Sequence, residues 1–448
     1  MGAKVVELPG GRVLYDRDAD VPLIPASNMK LVVISGAIDQ LKADYQFRTV
    51  LAIRGEDLVV VGCGDPTLGD QKLAAEKGEA ITAVFHGWAA KLIASGVRQI
   101  PGDLVIDDLV FDQSFVHPNW PADQYQAWYE APVGGLNFNA NCTDVAVQPG
   151  PRGKPAAASL VPGNRYLKIS NRTTSGAKHG AWVHRPRQSD TLTVKGTVAR
   201  QDRLGPVTVR DPGLYFGSVL KTVLAAKGIA VRGEVRREKL ALDDKGIPRG
   251  AHVVAIHASP LTGALRRAGR DSLGMMAEAL MKLLGAKAGG VGSWESGRAA
   301  VRSFFVKVGV QANQFVIDDG SGLSRQNRLS AAAATQVLAY MFSAPNGSFA
   351  TLRESLARPG REGTLKRRLR GEATRDRVFA KTGYINGVRT LAGYVQGGSG
   401  RWLAFAFFYN GAGQTRPLAR IQDEASEALV NWADEQSPSA RTANAATE

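Results

Sequence analysis

Two residues near the start of the chain, Ser27 and Lys30, have the types and the spacing that acyl transfer needs. Positions i and i+3 of a helix lie on one face, so we expect the Lys30 amine beside the Ser27 hydroxyl. A serine hydroxyl is a weak nucleophile, but a lysine kept neutral by burial or by nearby cations can remove its proton. The competing hypothesis is that Ser27 only caps a helix, although a capping box prefers Glu or Gln at position 30.

Two later stretches carry side chains that complement this pair. In "VFAKTGYINGV", Lys381, Thr382 and Gly383 are predicted at a strand edge. There the ammonium and hydroxyl can hold a carboxylate, and glycine lets backbone approach closely. In "RDSLGMMAEAL", Ser272 is predicted at a break between two helices, from which its hydroxyl can reach a cleft. Ser-x-x-Lys, Ser-x-Asn and Lys-Thr-Gly in this order are typical of penicillin-binding proteins and serine β-lactamases, and the first and third are intact here.

The elements that must position these residues come from both ends of the chain. Apolar alternation predicts a hairpin over residues 5–15, and "SNMKLVVISGAIDQL" predicts a buried helix. Near the other end, "VFAKTG", "VRTLAGYVQ" and "WLAFAFFYN" predict three strands, and a last amphipathic helix aligns Leu418, Ile421, Leu429 and Trp432 on one side. The terminal strands can share one sheet only if the β-rich middle of the chain is an insertion.

Composition narrows the class of protein. The 448 residues are 44% hydrophobic and carry a net charge of +15, which favours an anionic partner without choosing among nucleic acid, membrane surface and acidic polymer. Cys63, Cys142 and scattered histidines predict no structural metal, and no cofactor is expected. No apolar run approaches the roughly 20 residues that span a bilayer. Strand patterning begins at once, so we find no signal peptide and expect an upstream targeting segment to be missing.

Seven stretches, spread along nearly the whole chain, carry a more specific resemblance. They are "PASNMKL" at 25–31, "GCGDPTL" at 62–68, "WYEAPVGGLNFNAN" at 128–141, "DPGLYFGSVL" at 211–220, "DDGSGLSRQNRLS" at 318–330, "GREGTLKRRL" at 360–369 and "AKTG" at 380–383. In this order they resemble the D-alanyl-D-alanine carboxypeptidase/endopeptidase group of class C low-molecular-mass penicillin-binding proteins, peptidase family S13.

The resemblance implies an α/β fold: a serine D,D-peptidase domain of the β-lactamase/transpeptidase type, with an antiparallel sheet flanked by helices, and two inserted β-rich domains. The expected boundaries are 1–66 with 257–435 for the peptidase domain, 67–100 with 165–256 for inserted domain II, and 101–164 for inserted domain III. The tail at 436–448 is too polar and small to pack, so we expect it to be disordered.

The resemblance also implies roles for individual residues. Ser27 would attack the carbonyl between two terminal D-alanines of a peptidoglycan stem peptide, and Lys30 would act as its base. The implied catalytic residues are Ser27, Lys30, Ser272 and Lys381, and the implied substrate-binding residues are Thr382, Gly383 and Tyr384. The backbone N–H groups of Ser27 and Tyr384 would form the oxyanion hole. The expected partners are peptidoglycan stem peptides and, as covalent inhibitors, β-lactam antibiotics, with the enzyme in the periplasm or cell envelope.

One position departs from the family pattern. Gly274 stands where the Ser-x-Asn element has asparagine, so the side-chain amide that contacts base and substrate is missing. Losing such a group can cost about a hundredfold in rate.

A peptidoglycan-binding protein without catalysis is therefore one alternative. An esterase or β-lactamase that uses the same pair is a second. The third is a basic nucleic-acid binder, although the arginine-rich run at 353–377 has no interleaved aromatic residues and is better explained as a solvated helix face.

Overall fold

The computed structural model describes residues 1–411 and 413–435. The strands are β1 (Gly2–Leu8), β2 (Val13–Arg17), β3 (Gln46–Arg54), β4 (Asp57–Val61), β5 (Gln99–Ile100), β6 (Leu104–Asp107), β7 (Cys142–Gln148), β8 (Ala157–Val161), β9 (Lys168–Ser175), β10 (Trp182–His184), β11 (Thr191–Val198), β12 (Asp202–Thr208), β13 (Ala230–Val231), β14 (Val235–Arg237), β15 (His252–Pro260), β16 (Phe315–Val316), β17 (Arg328–Leu329), β18 (Val378–Ile385), β19 (Val388–Gln396) and β20 (Trp402–Asn410).

The helices are α1 (Met29–Leu41), α2 (Gln71–Glu76), α3 (Ala83–Ala94), α4 (Pro212–Ala226), α5 (Leu261–Gly269), α6 (Gly274–Lys287), α7 (Trp294–Val308), α8 (Ala331–Ser343), α9 (Ser348–Ser355) and α10 (Arg416–Glu435). Short 3-10 turns cover Ala26–Asn28, Trp128–Glu130, Asn139–Asn141, Ala312–Gln314 and Gly363–Leu365. The chain divides into two compact units. Residues 1–45 and 261 onward form the first, and 46–260 form the second.

The first unit is built on one five-stranded sheet that joins both ends of the chain. Its order is β18-β19-β20-β1-β2, and every pair of neighbours is antiparallel. Strand β1 pairs with β20 from Gly2 opposite Phe408 to Leu8 opposite Trp402. The prediction that strands from the two chain ends complete a single sheet is therefore confirmed.

Helices cover this sheet because its strands carry large apolar side chains on both faces. Helix α10 packs Val430 and Ala433 into a core with Phe405 and Leu403 of β20. Helix α8 lies against the sheet too, and the Tyr394 hydroxyl donates to the Leu338 carbonyl over 2.8 Å. Helix α1 is buried from Met29 to Ile38, as its nearly continuous apolar sequence predicts. The α/β class with an antiparallel sheet flanked by helices is thus as expected from the sequence.

Helix α10 buries a face made of Gln422, Ser426, Val430 and Ala433. Of the apolar residues that the sequence aligned on one side, Leu429 and Trp432 pack against the core and are partly buried, whereas Ile421 is 44% exposed. Gln422 donates to the Phe407 carbonyl over 3.3 Å, so this face accommodates a polar side chain. The apolar residues alone therefore located the buried side only in part.

The second unit is rich in short strands. Its largest sheet has the order β14-β6-β4-β3-β15, and two three-stranded sheets have the orders β10-β11-β9 and β12-β7-β8. Helices α3 and α4 contribute Phe85, Trp88 and Phe216 to a buried cluster of rings, which Phe138 joins from the segment before the 3-10 turn Asn139–Asn141. The middle of the chain is thus a β-rich insertion into the first unit.

The boundaries of the insertion differ from the expected ones. Residues 46–66 were placed in the peptidase domain, yet β3 and β4 hydrogen-bond to β15 and β6 and therefore belong to the second unit. The insertion ends at Pro260 rather than at residue 256, because β15 pairs with β3 as far as that residue. The division of the insertion into domains II and III stays a prediction, and the tail at 436–448 lies outside the described residues.

Two features are absent from the residues that the structure describes. No helix among them combines the length and apolar character needed to cross a membrane. No group of three or more His, Cys, Asp or Glu side chains among them is arranged to hold a metal ion.

Candidate active site

Ser27 lies in the 3-10 turn Ala26–Asn28, two residues before α1 begins at Met29. The sequence had placed Ser27 inside the helix, but the helix proper starts at Met29. Neither the turn nor α1 has a side-chain capping hydrogen bond. Ala26 has a φ of 45°, a conformation that side-chain-bearing residues adopt only under strain, and such strain is often found at reactive positions. The capping hypothesis is thus not supported, and the serine stands on a constrained turn.

Lys30 reaches the Ser27 hydroxyl. Its Nζ donates to Ser27 Oγ over 3.0 Å and to the Ser321 carbonyl over 2.6 Å. The side chain is 3% exposed. Burial lowers the Lys30 pKa from 10.5 to about 8, against the opposing effects of the Asp319 and Glu278 carboxylates. The amine can therefore be neutral near physiological pH, which a general base requires.

Lys381 and Ser272 form the second half of the site. Lys381 on β18 is fully buried, and its Nζ donates to Ser272 Oγ over 2.8 Å and to the Thr382 carbonyl over 2.7 Å. Burial lowers the Lys381 pKa well below its usual value, and repulsion from Lys30 lowers it further. Ser272 lies between α5 and α6, as the sequence predicted, with a φ of 61° that holds its hydroxyl against the lysine.

Strand β18 runs along the Ser27 turn with unusual closeness at Gly383. A Cβ built on Gly383 would lie 3.1 Å from the Ser27 nitrogen, 2.9 Å from the Pro25 carbonyl oxygen and 2.0 Å from Thr390 Oγ1. Only glycine leaves room for this approach. The Ser27 amide and the strand segment that carries Gly383 and Tyr384 are therefore adjacent, as an oxyanion hole built from these two residues would need.

Thr390 connects the same turn to the sheet. It pairs with Gly383 across the β18–β19 ladder and is fully buried. Its Oγ1 donates to the Pro25 carbonyl over 2.7 Å and accepts from Asn28 Nδ2 over 2.7 Å. One hydroxyl thus joins the residues on both sides of Ala26 and Ser27.

Thr382 and Tyr384 point to the more open side of β18. Thr382 Oγ1 donates to Thr364 Oγ1 over 2.7 Å, in the 3-10 turn Gly363–Leu365. The Tyr384 ring is 57% exposed, and the Arg389 guanidinium carbon lies 4.6 Å from its centroid. These contacts leave the Thr382 hydroxyl in a position to meet a ligand at the strand edge.

A loop at residues 318–324 supplies the carbonyl that holds Lys30, and two buried carboxylates fix that loop. Asp319 accepts N–H bonds from Gly322 over 2.7 Å and Ser324 over 2.8 Å. Glu278 of α6 accepts from the Gly320 amide over 3.0 Å and the Ser321 amide over 2.6 Å. Burial raises the Glu278 pKa to about 7. The loop is rigid because nearly every polar group in it has a partner.

Gly274 is the first residue of α6 and is buried two positions after Ser272. It has no side chain with which to contact Lys30 or a substrate. The structure therefore brings together the serine and lysine residues that the sequence singled out, and it leaves the asparagine position of the motif without a polar group.

Sequence reasoning did not identify three contributors to this site. The Ser321 carbonyl acts through backbone, which carries no residue-type signal. Thr390 and Thr364 are ordinary threonines whose importance depends on pairing and turn geometry. Thr364 lies in "GREGTLKRRL", one of the stretches noted above, so position within a motif was the available signal.

Comparison with known proteins adds independent information. The family model described as "D-Ala-D-Ala carboxypeptidase 3 (S13) family" matches residues 1–436. The chain is 35% identical to a D-alanyl-D-alanine carboxypeptidase of Actinomadura sp. (strain R39), over 98% of this chain and 82% of that protein. It is 27% identical to the D-alanyl-D-alanine carboxypeptidase DacB of Haemophilus influenzae, over 89% of this chain and 83% of that protein.

Solved structures show the same fold. Penicillin binding protein 4 (dacB) from Haemophilus influenzae superposes with a TM-score of 0.75 at 24% identity, covering 96% of each chain. The same protein complexed with a novel β-lactam superposes with a TM-score of 0.70, also over 96% of each chain.

Proposed function

The chain belongs to the D-Ala-D-Ala carboxypeptidase 3 (S13) family, and we propose that it is a serine-type peptidase that cleaves the bond between two terminal D-alanines of peptidoglycan stem peptides through an acyl-enzyme at Ser27. The single observation that carries the proposal is the 3.0 Å hydrogen bond between Ser27 Oγ and the buried Lys30 amine. The reaction would take place outside the cytoplasm, at the cell wall.

Acylation begins with proton transfer from Ser27 Oγ to Lys30 Nζ as the oxygen attacks the carbonyl carbon. The oxyanion that develops would be held by the N–H groups of Ser27 and Tyr384, which the close approach at Gly383 brings near each other. Collapse of the tetrahedral intermediate breaks the C–N bond. The departing D-alanine takes up, through the Ser272 hydroxyl, the proton that Lys30 received from Ser27, which leaves Lys30 neutral again; the same hydroxyl contacts Lys381. Water then hydrolyses the ester and frees Ser27.

Recognition of the substrate carboxylate falls to Lys381 and Thr382. A bound carboxylate favours the charged form of Lys381. Because the two lysines repel each other in a buried site, a charge fixed on Lys381 lowers the pKa of Lys30 further. Substrate binding would thereby leave the base in its neutral form. The same carboxylate recognition explains why we expect β-lactams, which carry one, to acylate Ser27.

D-Alanine release from a pentapeptide tests the proposal. The wild type is compared with Ser27→Ala and with Ser35→Ala, which removes another hydroxyl from the same stretch of chain. Ser35 is buried, and its Oγ has no hydrogen-bond partner among the described residues. We expect Ser27→Ala to abolish release and labelling by a fluorescent penicillin, and Ser35→Ala to retain both. Equal activity in the wild type and Ser27→Ala would refute the proposed nucleophile.

Gly274 favours one alternative, a peptidoglycan-binding protein with weak or no catalysis. The Gly274→Asn variant separates the two hypotheses, because it restores the amide that the motif has in relatives. We expect measurable release from the wild type and a rise of about tenfold or more in the variant. Release from Gly274→Asn with none from the wild type would favour the binding protein. Turnover of esters or lactams without peptide cleavage would favour an esterase or β-lactamase.

A further inference from the structure

A cavity of about 330 Å³ lies wholly within the second unit and includes none of the active-site residues. Its apolar walls include Phe115, Trp120 and Tyr125, and its polar lining includes Glu130, Arg185 and Arg187. Ligand sites of this kind combine apolar walls with a few fixed polar groups, and small-molecule pockets start at roughly 300 Å³. The cavity is large enough for one sugar ring or a comparable compact molecule.

Two buried charged side chains of this cavity have atoms without a partner. Glu130 is 1% exposed and Arg185 is 3% exposed. The Oε1 atom of Glu130 and the Nε atom of Arg185 make no hydrogen bond to any residue in the described part of the chain. Buried polar groups are nearly always hydrogen-bonded, and leaving one unpaired destabilises the fold. Two such atoms in one cavity indicate a place where a ligand completes the hydrogen bonding.

Arginines outnumber acids in the lining of the cavity, where Arg185, Arg187 and Arg210 stand against Glu130. Arg210 is paired with Asp190 over 3.2 Å, Asp190 also acts on Arg185, and Asp123 acts on Glu130. Among the described residues, the other side-chain donors of Arg185 reach neutral oxygens: Nη2 donates to Thr208 Oγ1 over 3.1 Å and to the Tyr125 carbonyl over 3.5 Å, and Nη1 to the carbonyls of Arg187 and Ser189 over 3.3 and 3.4 Å. Arg187 adds a second, exposed guanidinium. Burial raises the Glu130 pKa to about 7, so its opposing charge is only partly developed near neutral pH. A protonated Glu130 would also donate to an oxygen.

We propose that this cavity is a binding site for an oxyanion, a carboxylate or a phosphate, carried on a compact ring that packs against Trp120 and Tyr125. Arg185 Nε donates to the anion, and Arg187 strengthens the attraction from the rim. Guanidinium groups suit both anions because their planar donors match two oxygens at once. The site is separate from the Ser27 chemistry and does not depend on the proposed peptidase activity.

Three soluble probes of similar size test the proposal by direct binding. They are N-acetylmuramic acid with its carboxylate, N-acetylglucosamine 1-phosphate with its phosphate, and uncharged N-acetylglucosamine. Each is titrated into the full-length protein at an ionic strength of about 0.15 M, where long-range attraction is screened. Intrinsic tryptophan fluorescence and ligand-observed NMR report binding. We expect at least one of the two anions to bind about tenfold or more tightly than the neutral sugar.

Two variants place the binding in this cavity. Arg187→Gln removes the rim charge and is expected to weaken anion binding about three- to fivefold, whereas Arg152→Gln, an exposed arginine outside the cavity, leaves it unchanged. Glu130→Gln keeps the shape and removes the opposing charge, so anion binding becomes about threefold tighter. Equal affinity for all three probes, no binding of any probe, or equal effects of the two arginine variants would each overturn the proposal. A preference between the two anions identifies which oxyanion the site takes.

Discussion

The hydroxyl of Thr390 offers the sharpest test of how the fold holds the nucleophile. The Thr390→Val variant keeps the side-chain shape and removes the oxygen. It thereby breaks two buried hydrogen bonds at once, to the Pro25 carbonyl and to Asn28 Nδ2. The Pro25 carbonyl and the Asn28 side chain flank Ala26 and Ser27. Without the Thr390 hydroxyl, the turn that carries Ser27 is therefore no longer held against the sheet.

The expected magnitude follows from the contacts. Each buried polar group left unpaired costs about 1 to 3 kcal/mol, so the turn as now placed loses at least about 2 kcal/mol. The turn can recover part of this loss by moving away from β18. A displacement of about 1 Å at a reacting atom can cost about a hundredfold in rate. We therefore expect the acylation step to slow at least about tenfold, while the affinity for the noncovalently bound lactam changes little.

The assay is stopped-flow acylation by a fluorescent penicillin, which separates the acylation rate constant from the preceding binding constant. The matched control is Thr335→Val on α8. Thr335 is 2% exposed, but its hydroxyl bonds only to the Ala331 and Ala332 carbonyls of its own helix. Those carbonyls keep their backbone partners, so its loss costs about 1 kcal/mol and leaves acylation unchanged. Thr390→Ser, which retains the hydroxyl, is expected to restore most of the rate.

Circular dichroism and thermal unfolding confirm that each variant is folded at the assay temperature. If Thr390→Val acylates as fast as Thr335→Val, the hydroxyl does not position Ser27. If Thr390→Ser is as slow as Thr390→Val, restoring the hydroxyl does not restore the rate, and the oxygen alone does not position Ser27. Either result would refute the reasoning.

Three other expectations can be checked with the same reaction. The acylation rate should rise with pH through about 8, because Lys30 acts as a base only when it is neutral. With a pKa of about 8, roughly a tenth of Lys30 is neutral at pH 7, whereas a pKa of 10.5 would leave about one molecule in 3,000 neutral. A rate that stays flat from about pH 6 to 9 would contradict this assignment. Gly383→Ala should reduce the acylation rate about a hundredfold or more, because the added Cβ drives the Ser27 turn away from β18. The control is Gly371→Ala, whose Cβ meets nothing within 4 Å and which should acylate as fast as the wild type. Equal acylation rates for the two variants would show that the close approach at Gly383 is dispensable. Thr364→Val removes the hydrogen-bond partner that orients the Thr382 hydroxyl. It should therefore weaken substrate binding about threefold and leave the acylation rate constant unchanged. A fall in the acylation rate constant with no change in binding would contradict this role.

The sequence was sufficient to predict that strands from both chain ends share one sheet and that a serine and a lysine lie together for acyl transfer. The apolar residues Val5, Val6 and Leu8 of β1 and the apolar runs of β19 and β20 favour strands, and the β-rich texture of the middle of the chain favours an insertion that leaves the terminal strands to share one sheet. The buried side of α10 was predictable only in part: Leu429 and Trp432 pack against the core, but the burial of Gln422 and Ser426 was not expected. Gln422 and Ser426 are buried through hydrogen bonds to specific carbonyls, and residue type alone does not indicate such partners.

The sequence predicted that Ser27 and Lys30 lie close together, but it did not predict the groups that hold them in place. Ser27 and Lys30 lie in hydrogen-bond contact, as their spacing suggested, and Ser272 contacts Lys381, a pairing that the sequence did not predict. The Ser321 carbonyl could not be found, because its position depends on a loop that Glu278 and Asp319 hold in place. Likewise, the start of the second unit at Gln46 depends on long-range pairing with β15, which no local pattern encodes.

The pairing of β1 with β20 affects the order in which the protein can fold during its synthesis. Lys381 is synthesised some 350 residues after Ser27, a delay of about 20 to 70 s at ordinary rates of synthesis. Throughout that interval β1 lacks the neighbour that completes its ladder, while the insertion has all its own strands and can fold first. The proposed site is therefore complete only after β18 to β20 have been synthesised, and a polypeptide interrupted before β18 lacks Lys381, the lysine that contacts Ser272.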